Sequence, residues 1–383
     1  MKNRMREQME KKKVILFGIG NNGRSIMDAC GKYDAFFEVA AVADNRSELT
    51  EYAGVEVISA DRIGKYEYDE IWIASVYYRE IKRQLVEQLH ISPSRIRYVE
   101  YPLPFLEQAF WKRYREELEG GRKCGSDELR QVMEYASANG VRMYCYPFYD
   151  AYMDQDMPVC YDEERSLYYG LYCGRRMYLS RKYDTPQKAE LYFRYACMEQ
   201  DERSPHRYLT EHFSVEKGET GIDIGAAEGI FALQVIDDAE HLYLIESDAG
   251  WCEALEATFC TDRDKVTIVR GYVSDTDGNG SLTLDTVFKD KKIDFIKMDI
   301  EGAERKALQG AGRLLERCMP KLAVCAYHNA EDEKLIRAWL EAAGPYRVYS
   351  SQGYVVCQGE WELEHPENVG FRRALLCAER KEK

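Results

Sequence analysis

The run Asp223-Ile224-Gly225-Ala226-Ala227-Glu228-Gly229 combines an acid, small residues and two glycines in seven positions. Gly225 and Gly229 take side chains away where a ligand must pass close to the backbone, and Ala227 is small enough to stand for a middle glycine. Glu246 follows 17 residues after Gly229, at the end of the next apolar run. A carboxylate there can take both hydroxyls of a ribose. Such a loop suits a nucleoside joined to an amino acid, because it need not form the nest that a diphosphate requires. Downstream, Asp299 ends IDFIKMD and His328 ends KLAVCAYH. A carboxylate and an imidazole at neighbouring strand ends can orient an acceptor and take its proton. Asp299 is therefore a candidate for both catalysis and cofactor binding, and His328 for catalysis. Glu301 is a candidate substrate contact. For Glu301 and Glu304 a role in the first turn of a helix, facing its dipole, is the competing reading. His206 and Arg207, in Ser204-Pro205-His206-Arg207-Tyr208, are candidates for holding substrate if their segment caps the site. Ser274, after the strand KVTIVRG, is placed to read a base edge, while Asp275 beside it and Asp285 carry no derived role. Asp299, Glu301, Glu304 and His328 are ligand types that suit magnesium or manganese. Their spacing does not require them to converge, so no metal is expected.

A second glycine pattern lies near the start. Gly18-Ile19-Gly20-Asn21-Asn22-Gly23 follows the strand-like KVILFG and opens a helical stretch, and Asp44 lies about 20 residues further on. This spacing allows a nucleotide in the N-terminal domain, with the diphosphate at a helix N-terminus and Asp44 on the ribose. It is equally compatible with glycines that only shape a turn. Tyr178 and Lys182 match the YxxxK pair of short-chain dehydrogenases, but twelve of the 29 tyrosines fall between Tyr144 and Tyr195, so chance explains the match. Those tyrosines are read as packed aromatic hairpins in preference to sugar-stacking platforms.

These residues need two sets of elements to position them. Over about 13–100, apolar runs at 13–18, 37–44, 68–75 and 95–100 alternate with helical stretches at 21–33 and 78–90, a pattern that implies parallel strands and right-handed crossovers. Charged helices are predicted near 105–119 and 127–139, separated by a linker at 120–126. Strands are predicted at 220–225, 241–247, 265–271, 292–299, 321–328, 346–351 and 372–380. The predicted fold is α/β with two doubly wound Rossmann-like domains, the second carrying an antiparallel edge strand. The expected division is 1–104 (Rossmann-like), 105–139 (helical connector), 140–215 (tyrosine-rich cap) and 216–383 (the second sheet).

Composition narrows the classes. The chain has 383 residues, 45% of them hydrophobic, and a net charge of −14. That balance argues against tight nucleic-acid binding, which needs a basic face. No apolar run reaches the ~18 residues needed to span a bilayer. The opening MKNRMREQMEKKKVILFGIG reads as a charged lead into a first strand, not as a signal peptide. Twelve cysteines without CxxC pairs fit reduced thiols in a cytoplasm.

Three segments, DIGAAEGIFAL, IDFIKMDIEGAERKALQGA and PKLAVCAYH, together resemble the FkbM family of S-adenosylmethionine (SAM)-dependent methyltransferases, over roughly 140–380. Upstream, EQDERSPHRYL (199–209) is similar to a segment before the cofactor loop in many members. The departure is Ala227-Glu228, where many members have an Asn-Ile or Asn-x pair. The resemblance implies SAM as cofactor and O-methylation of a sugar hydroxyl, with a small molecule or glycan as acceptor and a place in polysaccharide biosynthesis. The N-terminal unit resembles small Rossmann-like domains found beside sugar-modifying enzymes. Two other classes remain open: a nucleotide-sugar or NAD(P)-dependent enzyme acting through the first domain, or a non-catalytic scaffold in glycan assembly. The acceptor's identity and the oligomeric state are not legible.

Overall fold

Strands form where the sequence places runs of β-branched and aromatic residues between turn signals, and the computed structural model describes residues 11–33, 35–119, 126–357 and 360–381. The linker at 120–125 and the charged N-terminal decapeptide lie outside the described residues. The chain divides into two units: 1–154 with 356–371, and 155–355 with 372–383.

Unit 1 is built on β1 (Lys12–Phe17), β2 (Phe37–Ala43), β3 (Glu51–Tyr52), β4 (Val55–Ile58), β5 (Glu70–Ile73) and β6 (Ile96–Tyr98). Their order is β3-β4-β2-β1-β5-β6, parallel except for the β3–β4 pair. Val14, Ile15 and Leu16 of β1 have no exposed surface, as a strand covered on both faces requires. Helix α1 (Asn21–Cys30) follows the first glycine turn, and α2 (Tyr78–Arg83) follows β5. The predicted helix at 78–90 continues beyond α2 only as a π turn, Gln84–Gln88. Helices α3 (Leu103–Glu119) and α4 (Asp127–Asn139) match the predicted charged pair, and the Ser126 side chain caps α4 by accepting from Leu129 N–H. Helix α5 (Pro147–Asp154) completes the first stretch of the unit.

Unit 2 opens with an antiparallel meander, β7 (Val159–Asp162), β8 (Leu167–Tyr172) and β9 (Arg175–Tyr178). This is the tyrosine-rich segment, and its rings pack on one another: Tyr161 on Tyr168, and Tyr169 on Tyr178. Helix α6 (Pro186–Glu199) follows, capped by Thr185 with Pro186 in the first turn. The main sheet then forms from β10 (Thr220–Ile224), β11 (His241–Glu246), β12 (Val266–Arg270), β15 (Phe295–Met298), β16 (Lys321–Cys325), β17 (Tyr346–Ser350) and β20 (Leu375–Arg380). Short strands β13 (Tyr272–Val273) and β14 (Ser281–Leu282) pair separately, while β18 (Val355–Val356) and β19 (Phe371–Arg372) mark where the chain leaves and re-enters the unit.

The main order is β12-β11-β10-β15-β16-β20-β17. All seven predicted strands are present. The antiparallel strand is not at the edge, however: β20 lies between β16 and β17 and runs antiparallel to both. Leu375 to Ala378 explain this, since all four are at most 1% exposed and such a run belongs inside the sheet. The strand order reverses at β10, which has β11 on one side and β15 on the other. The carboxyl ends of β10 and β15 therefore open a crevice at a topological switch point, where doubly wound sheets bind ligands.

Candidate active site

The loop after β10 is shaped by left-handed backbone at Gly225 (φ 71°), Ala227 (φ 44°) and Gly229 (φ 82°). At Gly225 a Cβ would lie 1.8 Å from the Asp299 carbonyl oxygen, so glycine is what lets the loops after β10 and β15 touch. Gly225 N–H donates to Ile245 O (2.9 Å), and Ala227 N–H donates to Glu246 Oε2 (3.0 Å). Glu246 Oε1 also accepts from the N–H groups of Ser247 (2.7 Å) and Asp248 (2.8 Å). The end of β11 and the bend after β10 thus face one another, and Glu246 is 8% exposed.

Asp223 lies beneath this loop with no exposed surface. Its Oδ1 is 2.9 Å from Lys297 Nζ, which also donates to Gly225 O (2.8 Å) and sits 4.7 Å from the Tyr208 ring centre. Burial opposes the Lys297 ammonium, but the charges of Asp223 and Asp299 outweigh it and push its pKa up. Asp223 therefore braces the loop through Lys297, which sequence reasoning missed because lysine inside an apolar strand gives no motif.

Asp299, Glu304, His206, Tyr208 and His328 meet at the carboxyl ends of β15 and β16. The Tyr208 hydroxyl donates to Asp299 Oδ2 (2.7 Å), and His206 Nε2 is 3.6 Å from the same oxygen. His328 Nε2 is 3.5 Å from Asp299 Oδ1 and 3.6 Å from Glu301 Oε2, while its Nδ1 is 3.1 Å from Glu304 Oε1. Glu304 has no exposed surface, and its Oε1 also accepts from Ile300 N–H (3.0 Å). This carboxylate, whose sequence position is that of a dipole-facing acid, in fact turns inward onto the imidazole. Glu301 holds a left-handed backbone (φ 55°) and its side chain is almost wholly exposed beside the crevice.

The charges are strongly coupled to this geometry. Burial alone would lower the His328 pKa, but the hydrogen bond to Glu304 and the charges of Asp299, Glu304 and Glu301 push it up to about 9. Burial alone would raise that of Asp299, but His206, His328, Lys297 and the Tyr208 hydroxyl hold it down at about 2. His206 is 1% exposed, and burial lowers its pKa to about 4 against the opposing charge of Asp299. At neutral pH His206 is therefore neutral and His328 carries a proton. Two further acids face this region, neither flagged by sequence. Burial raises the pKa of Glu199, at the end of α6, and of Glu228, and their mutual proximity adds to the shift of Glu199. The Tyr192 hydroxyl donates to Glu228 Oε2.

Donor atoms of Asp299, Glu304 and His328 lie within 4.8 Å of one another, as do those of His206, Asp299 and Cys325. Spacing in sequence did not require this convergence; the parallel pairing of β15 with β16 produces it. Arg207 is not brought to the crevice. Its Nε donates to Leu209 O (3.0 Å), and it lines a separate groove with His212 and Tyr349, because alternate residues of 206–208 turn to opposite sides. Ser274 is half-buried, its hydroxyl turned to Asp275 Oδ1 (3.1 Å), and its carbonyl packs where a Cβ on Gly310 would come within 2.1 Å. Asp285 caps another element, accepting from the N–H groups of Arg313 (3.1 Å) and Leu314 (2.7 Å).

In unit 1, Gly18 has φ 105°, and a Cβ on Gly23 would meet Gly18 O at 1.9 Å. Both glycines thus have internal reasons, whereas Gly20 faces open space. Asp44 Oδ2 accepts from Ile19 N–H (2.9 Å), and Oδ1 accepts from Arg46 (2.8 Å) and Ser47 (2.9 Å). Nothing beyond this turn geometry supports a nucleotide here.

A doubly wound sheet, a glycine bend at its switch point and a carboxylate at the next strand end define a Rossmann-like, SAM-dependent methyltransferase. Residues 222–355 match the family model described as methyltransferase FkbM domain, so this stretch is a methyltransferase domain of the FkbM type. Residues 10–97 match the model described as C2185-like, N-terminal. No curated protein matches the chain. Among solved structures, a methyltransferase FkbM from Methylobacillus flagellatus KT is 18% identical, with 98% of this chain and 92% of that one covered and a TM-score of 0.46. A precorrin-6y C5,15-methyltransferase from Geobacter metallireducens GS-15 is 13% identical, covering 44% of this chain and 83% of that one, with a TM-score of 0.32.

Proposed function

We propose that this enzyme transfers a methyl group from SAM to a sugar hydroxyl of a glycan or related metabolite, with His328 as the general base. The observation that carries the reading is the placement of His328 at the end of β16: Nδ1 against buried Glu304 and Nε2 between the carboxylates of Asp299 and Glu301. The residues fit the donor. The loop 225–229 is partly exposed at Gly225 and Ala227, with Gly229 buried against Phe259 and Leu255, and the acids around the crevice complement a cation bearing a sulfonium and an ammonium. Glu246 holds the ribose, with Gly225, Ala227 and Gly229 beneath the amino-acid portion, and Ser274 lies beyond the third strand for the base. When bound, SAM supplies an activated methyl whose leaving group is neutral, so no acid is needed for departure.

The chain's own task is then alignment and removal of one proton. Asp299 and Glu301 would hold the acceptor hydroxyl beside the donor's methyl group, a placement that would turn an encounter into an intramolecular step. His328 Nε2 takes the hydroxyl proton as the new C–O bond forms. Glu304 fixes the ring by accepting from Nδ1–H, and Asp299 stabilises the resulting imidazolium. His206 and Tyr208 keep Asp299 in place. The donor's methyl C–S bond would break as the C–O bond forms, so the products would be a methyl ether and S-adenosylhomocysteine.

A base must be neutral before it accepts. With its pKa raised to about 9, His328 is mostly protonated at pH 7, so turnover rises with pH until His328 loses its proton near 9. A bound cationic donor moves that limb to lower pH. The test is transfer of labelled methyl from SAM to a glycan extract, followed over pH 6–10. The rising limb is expected in the wild type and absent in His328→Gln, whose rate falls roughly 10²–10⁴-fold. Equal rates and the same limb in His328→Gln would remove His328 as the base.

A further inference from the structure

Helix α6 is tied to the glycine loop through Tyr192, whose hydroxyl donates to Glu228 Oε2 across 36 positions of sequence. Glu228 stands between Ala227 and Gly229 in that loop and is 5% exposed. Burial pushes the pKa of both groups up, and the Glu228 charge adds to the shift of Tyr192. The phenol therefore keeps its proton and remains the donor.

The Tyr192 ring adds a second tie. Its centroid lies 5.1 Å from that of Trp251 and 4.3 Å from that of Tyr183, and these two are 5.7 Å apart. Ala227 packs against the same apolar cluster as Tyr183 and Tyr192, the one that contains Trp251. Trp251 lies in the first turn of the helix Ala249–Thr258, which Asp248 caps by accepting from Trp251 N–H (2.9 Å). Asp248 N–H in turn donates to Glu246 Oε1 (2.8 Å). The rings thus bear on both donor-binding elements, the bend after β10 and the acidic end of β11. Ala227 needs this support. At φ 44° it holds a left-handed backbone that an L side chain disfavours and that persists only where neighbours over-determine it. Its N–H is held by Glu246, its side chain by the cluster, and the residue after it by Tyr192.

We propose that Tyr192 is a positioning residue for the methyl donor: its hydroxyl, acting through Glu228, holds the bend 225–229 in the shape that receives the donor. This role rests on the donor reading above and adds to it a residue outside the loop that sets the loop's shape. The phenol oxygen carries it. A phenylalanine would keep the ring contacts with Trp251 and Tyr183 and leave Glu228 untethered.

Calorimetric titration of the full chain with S-adenosylhomocysteine tests this on the intact protein, Tyr192→Phe, Glu228→Ala and the double variant. The double variant strands neither partner of the buried pair, so it folds even where a single change does not. Each single change is expected to weaken binding about five- to tenfold, and the double variant no further than the weaker single one, because both remove the same tie. A role in stability alone would lower the melting temperature and leave the affinity unchanged. Tyr192→Phe or the double variant binding as tightly as the intact chain would overturn the role, as would losses that multiply in the double variant. No binding to the intact chain would instead remove the donor reading itself, and this role with it.

Discussion

His328 and Glu304 show how a side chain's role is set by what it faces. The imidazole touches three carboxylates within 3.6 Å, and its upward shift follows from them. Lys297 plays the matching structural part beneath the glycine loop. It is 3% exposed, and its ammonium ties Asp223 to the Gly225 carbonyl. Lys297→Met is expected to destabilise the protein by about 3–5 kcal/mol, because it strands the Asp223 carboxylate in the interior. Chemical denaturation would measure this, and adding Asp223→Asn to the same chain should restore much of the loss. At the residue scale, Asp299 and His328 were legible because strand ends in a doubly wound sheet point to the crevice. Tyr208, Lys297, Glu304, Glu199 and Glu228 were not. Each takes its role from a contact across 29 or more positions of sequence or from an inward turn at a helix start, and neither leaves a spacing to read.

At the scale of elements, apolar runs carried most of the fold. The seven main strands of unit 2 fall within the predicted runs because each carries a short apolar run, although β20 is antiparallel to both its neighbours and the outer strands β12 and β17 are only partly buried. β3 and β4 were missed, being two and four residues long with exposed polar positions. The position of β20 was also missed: a run of residues tells that a strand is central but not which neighbours it separates. The bend at 225–229 makes the sharpest element-scale demand. Gly225→Ala would put a methyl into the Asp299 carbonyl at 1.8 Å and force an alanine to φ 71°. Displacement of the β15 loop is expected, with a lower melting temperature and loss of donor binding, read together by thermal shift with and without S-adenosylhomocysteine. A Gly20→Ala control in unit 1, where a Cβ meets open space, should leave the melting temperature nearly unchanged.

At the scale of the whole molecule, a net charge of −14 and a crevice rich in carboxylates act in the same direction. Both disfavour polyanionic acceptors. The protein is expected to show no retention of duplex DNA at physiological salt, and fluorescence anisotropy with a labelled duplex would check this. Among the described residues no helix is long and apolar enough to cross a membrane. The methyltransferase reading rests on the second unit alone, where glycine bend, acidic strand end and family match coincide. The most direct measurement is calorimetric titration of the intact chain and of Glu246→Ala with S-adenosylhomocysteine. Saturable one-site binding to the intact chain is expected, with at least tenfold weaker binding to Glu246→Ala, a loss of roughly 1.4 kcal/mol or more. No heat and no thermal shift for the intact chain at millimolar ligand would contradict it.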